Sequence, residues 1–77
     1  MVMFRDYATR KARALGLAGT VQNLPDGSVR VVAEGEESVL MKYLEKLHKG
    51  SVLSRVDSVS AEWSDKFEHF ERFDILY

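Results

Sequence analysis

No cysteine and only one proline occur among the 77 residues. Without thiols there are no disulfides and no thiolate zinc sites to reinforce a small fold, and no redox compartment can be read. Neither sign of charge dominates: 11 Lys and Arg face 12 Asp and Glu, a net charge of −1. That balance argues against a strongly electrostatic nucleic-acid binder, which needs basic excess on one face. Long apolar runs are also missing. Nothing approaches the roughly 20 residues that span a bilayer, and the first residues lack the apolar stretch of a signal peptide. There is no Gly-rich nucleotide loop, no catalytic cysteine and no metal-spaced histidine cluster. His48 and His69 read as solvated surface residues. The expectation is a single soluble, cytoplasmic domain, small enough to bury only about 60% of its unfolded surface.

What is present is regular patterning. Residues 6–15 carry a 3/4-spaced apolar set with Arg10, Lys11 and Arg13 toward the end that the helix dipole makes negative. Gly16 suits the cap that ends this helix. Residues 18–23 and 28–35 flank Leu24-Pro25-Asp26-Gly27. There proline presets φ and glycine supplies a positive one, so the pattern predicts a β-hairpin. In residues 36–49, Val39, Leu40, Tyr43, Leu44 and Leu47 form one apolar stripe, with Gly50 placed to close the helix. Val59, Ala61 and Trp63 alternate with polar residues as in a strand, and Phe73, Ile75 and Tyr77 do so again. The charged stretch 65–72 is expected to be a solvated loop. Phe67, Phe70 and Phe73 are expected in the core or at its margin, since no basic patch accompanies them as a base-stacking platform would require.

The order is helix, strand, strand, helix, strand, strand. This predicts an α+β domain with both helices on one face of a mainly antiparallel sheet. It resembles a ferredoxin-like, split βαβ plan without its opening strand.

Two segments carry a closer resemblance. Gly19-Thr20-Val21-Gln22-Asn23-Leu24-Pro25-Asp26-Gly27-Ser28-Val29, followed by Ala33-Glu34-Gly35, resembles the second signature of the acylphosphatases. Val2-Met3-Phe4-Arg5 resembles the end of their first signature, a phosphate-binding loop leading into the first helix. The ending in Phe73, Ile75 and Tyr77 suits that family's last strand. Thr20 departs from it, standing where the family usually has an aromatic residue, a change that bears on packing more than on chemistry.

The resemblance implies hydrolysis of acyl phosphates to carboxylate and phosphate, with no metal and no cofactor. Arg5 would hold the phosphoryl oxygens, joined by the backbone amides of Val2, Met3 and Phe4, and Asn23 would orient the attacking water. The chemistry is apt: arginine offers a planar fork of donors to phosphate, and asparagine can accept from water while donating to a phosphoryl oxygen. Taken alone, Arg5 also reads as a surface cation and Asn23 as turn chemistry. Inorganic phosphate is the expected product and inhibitor; neither nucleic acid nor membrane is an expected partner.

Family members usually begin with a strand that feeds the phosphate loop, and Met1 stands where that loop usually has a glycine. The expectation is therefore a fold compensated by strand exchange or rearrangement, with a homodimer through exposed strand edges as one form of rescue. Two other readings stay open. One is a catalytically inactive ferredoxin-like association module. The other is an RNA-binding module, which the absence of stacking aromatics on the strands and the neutral charge disfavour.

Overall fold

The structure is a computed structural model and describes residues 2–53 and 68–77. Five elements follow in order: α1 (Val2–Ala14), β1 (Ala18–Asn23), β2 (Val29–Glu34), α2 (Glu37–Leu53) and β3 (Phe73–Leu76). The strand expected around Val59, Ala61 and Trp63, and Phe67 with it, lie outside the described residues.

The hairpin forms as its sequence dictates. Gly27 takes φ 91°, its amide donates to the Leu24 carbonyl, and the Leu24 amide closes the loop on Ser28. Asp26 reinforces the turn by accepting from the amide and hydroxyl of Ser28. β1 and β2 pair antiparallel, with Val21 opposite Val31 and Asn23 opposite Val29. The closing strand then joins the other side of β1 in parallel, Gly19 beside Phe73 and Gln22 beside Leu76. Among the described residues the sheet is thus mixed, in the order β2-β1-β3.

Strand alternation sorts the two faces. Val21 and Phe73 are the largest fully buried side chains, and Val29, Val31, Ala33 and Ile75 pack on the same cluster. Phe4, Ala8 and Ala12 of α1 and Tyr43 and Leu47 of α2 complete that core, so both helices cover one face. Burying each large apolar side chain stabilises the fold by roughly 1.5–3 kcal/mol. Tyr43 meets Phe73 edge to face, with centroids 6.1 Å apart, and donates its hydroxyl hydrogen to the Ala8 carbonyl at 2.9 Å. Burial pushes the Tyr43 phenol well above its ordinary pKa.

Two helix boundaries differ from the expectation. α1 starts at Val2 rather than near residue 6, because Phe4 extends the Ala8–Ala12 stripe by one more turn and is itself buried. α2 runs through Gly50 to Leu53. Glycine costs about 1 kcal/mol in a helix interior, but here it admits the Tyr7 ring, which a Cβ on Gly50 would strike. Tyr7 in turn donates its hydroxyl hydrogen to the Lys46 carbonyl at 2.9 Å. The glycine belongs to a helix–helix contact, not to a cap.

The solvated character expected for 65–72 holds where it is described, since Glu68, His69, Glu71 and Arg72 are exposed. His48 is likewise exposed. Phe73 is core, whereas Phe70 is half-buried beside the outer face of the sheet.

Candidate active site

Arg5 and Asn23 both lie toward the end of the sheet where β1 and β3 finish. Arg13, near the end of α1, donates from Nε to the Phe73 carbonyl at the start of β3, 3.0 Å away. At the other end of the same helix the Arg5 guanidinium lies over the Tyr77 ring, 5.2 Å from its centroid. The helix therefore runs antiparallel to β3, and to β1, which is parallel to β3. Its N-terminus points toward the end at which both strands finish. The parallel register ends with Gln22 beside Leu76, so Asn23 and Tyr77 each follow the last paired residue of their strands. Asn23 follows Val21 with strand alternation, which puts it on the helix-covered face.

The local chemistry is distinctive. Asn23 Oδ1 is buried and has no hydrogen-bond partner among the described residues. Leaving a buried acceptor unpaired costs about 1–3 kcal/mol, and packing alone supplies no reason for it. Arg5 is mostly enclosed, its side chain 16% exposed, and Nε donates to Asp6 Oδ1 at 3.2 Å. Because α1 begins at Val2, the amides of Val2, Met3 and Phe4 belong to a first helical turn instead of a loop. First-turn N–H groups have no helical carbonyl to bond and carry the positive end of the helix dipole. Met3 projects into solvent while the Phe4 side chain enters the core.

Asp6 and Tyr77, the neighbours that frame Arg5, belong to no motif of the sequence that points to a site. Adjacency alone could have suggested Asp6. Tyr77 required the parallel register, which no local pattern encodes.

Two surface hollows lie elsewhere. One, of about 230 Å³, sits on the outer face of the sheet between Thr20, Gln22, Arg30 and Phe70, and another lies along α2 near Met41 and His48. No group of three or more His, Asp and Glu side chains suited to a metal occurs among the described residues. No helix there is long and apolar enough to cross a membrane.

Comparison with known proteins decides the family. The acylphosphatase family model matches residues 1–75. The chain belongs to the acylphosphatase family. An acylphosphatase of Salinibacter ruber is 42% identical over 74 residues, covering 96% of this chain and 78% of the relative. An acylphosphatase of Methanococcoides burtonii is 44% identical over 72 residues, covering 90% and 75%. The crystal structure of an acylphosphatase from Bacillus subtilis superposes with a TM-score of 0.91 at 38% identity, covering 99% of this chain and 84% of that one. The acylphosphatase frame is thus present in both sequence and fold.

Proposed function

We propose that this acylphosphatase-family chain hydrolyses the carboxyl–phosphate bond of acyl phosphates, with Arg5 and Asn23 as its catalytic residues. The guanidinium of Arg5 binds the phosphoryl oxygens, and the first-turn amides of Val2, Met3 and Phe4 add donors along the helix dipole. Asn23 Oδ1 accepts a hydrogen from water and aims its lone pair at phosphorus, while the amide group is free to donate to the phosphoryl group. Water's oxygen bonds to phosphorus as the bond from phosphorus to the acyl oxygen breaks. The carboxylate leaves with the bonding pair, and the water's two hydrogens remain with the dihydrogen phosphate formed. A carboxylate is already a good leaving group, so positioning and charge stabilisation suffice.

The observation supporting this reading most directly is the buried, unpartnered Asn23 Oδ1 at the end of the sheet that Arg5 also reaches. Benzoyl phosphate hydrolysis tests it. Turnover should be lost in Arg5→Ala and in Asn23→Ala, and inorganic phosphate should inhibit competitively. Turnover indifferent to both substitutions overturns the assignment.

The outer edge of β2 leads us to propose, in addition, homodimerisation by strand pairing. β2 bonds to β1 on one side, and among the described residues its other edge has no strand partner. Sedimentation across a concentration series checks this: a mass that stays monomeric throughout rules it out.

A further inference from the structure

Arg5 is restrained on two sides. Asp6 Oδ1 accepts from Nε at 3.2 Å and lies 3.2 Å from Nη2, so one carboxylate oxygen occupies the side-on edge of the guanidinium. On another side the guanidinium carbon lies over the Tyr77 ring, 5.2 Å from its centroid. Consecutive helical residues point about 100° apart and do not ordinarily face each other. The arginine must therefore turn sideways along α1 to meet Asp6, and that turn fixes where the rest of its fork points. Five donors in a rigid plane leave the end-on edge, between Nη1 and Nη2, for an oxyanion.

We propose that Asp6 is a positioning residue for Arg5, resting on the reading above that Arg5 binds the phosphoryl group. Its carboxylate holds the side-on edge and so presents the end-on edge to substrate. The same charge sits close to the bound oxyanion and weakens binding of free phosphate, which favours release of the product. A surface ion pair of no consequence would do neither. With Asp6 51% exposed, its pairing energy alone contributes little to stability.

The two effects separate chemically. Asparagine at this position keeps an oxygen that can accept from Nε but removes the charge; alanine removes both. In Asp6→Asn, kcat for benzoyl phosphate should stay within about twofold of the parent, while the inhibition constant for inorganic phosphate falls about threefold, as expected for one like charge nearby in a hydrated site. That gain should shrink as ionic strength rises. In Asp6→Ala, kcat should fall about tenfold, the scale of a modest misplacement of a binding group. Melting temperatures report whether both variants remain folded. Equal kcat in the alanine and asparagine variants, at whatever level, overturns the positioning role. An unchanged phosphate inhibition constant in Asp6→Asn overturns the charge effect. Arg5→Ala separates this from the underlying reading: if it retains turnover, the assignment of Arg5 fails. If it loses turnover while both Asp6 variants match the parent, only the role of Asp6 fails.

Discussion

Asn23 places a buried acceptor where no neighbour in the described fold satisfies it. Residues kept for stability do not look like this, because the unpaired oxygen is a cost to the folded state. Replacing it with alanine should thus separate function from folding. Asn23→Ala is expected to lose about 100-fold in kcat, as when a preorganised polar group is removed from an active site. Its melting temperature should match or exceed the parent's. A variant that loses activity and stability together would mark Asn23 as a structural residue of the hairpin. At this scale the sequence was informative where chemistry and spacing coincide. Arg5 and Asn23, the proposed catalytic pair, stand out because each lies in a recognisable motif. Asp6 and Tyr77 do not, since their relation to Arg5 depends on a side-chain rotation and on a strand arriving from the far end of the chain.

The elements themselves were mostly legible, because each is specified by its own neighbours. The Pro-Asp-Gly turn and the alternating valines need no distant partner to become a hairpin, and residues 37–49 carry their helical stripe in plain view. Where boundaries moved, tertiary packing overrode a local signal. Gly50 is the clearest instance: a helix stop by propensity, it lies inside α2 because Tyr7 needs the space. Gly50→Ala should therefore destabilise the domain by about 1–3 kcal/mol, the usual cost of overpacking, despite the better helix propensity of alanine. Chemical denaturation measures it, and a stabilised variant would show that Tyr7 moves aside freely. A second element-level device joins β2 to the approach of β3. The Glu34 carboxylate accepts from the amides of Glu68, His69 and Phe70, with the Phe70 bond at 2.8 Å. The Phe70 amide bond foremost, with the two others and the nearby His69, holds the Glu34 carboxyl below its ordinary pKa of 4.5. A lowered folded pKa gives stability that is complete above the unfolded value and is lost as pH falls through the folded one. From about pH 5 downward the parent should lose stability more steeply than Glu34→Gln, which has no proton to take up there. Thermal melts between pH 7 and pH 3 check this, and parallel curves would show the latch to be inconsequential.

For the whole molecule, a ligand that binds only the folded state raises the melting temperature by mass action. Inorganic phosphate at about a hundred times its dissociation constant should raise it by roughly 15 °C in a domain this small. Arg5→Ala should abolish the shift, and a shift that persists would place the anion elsewhere. The overall plan, two helices against one face of a sheet, followed from the succession of elements. The parallel seam between β1 and β3 did not, because strand pairing across most of the chain leaves no local trace.

That seam bears on how the molecule is assembled and how it fails. Closing it brings together segments separated by β2 and α2, so the contact is slow to form and entropically demanding. The hairpin and α2 rely on nearer contacts. Because Tyr77 follows the end of β3, detachment of that strand alone would remove one of the two restraints on the arginine while the hairpin and helices stayed in place. Amides of β3 should consequently exchange with solvent deuterium ahead of those in the β1–β2 ladder, and catalytic competence should follow the late seam rather than the bulk of the fold.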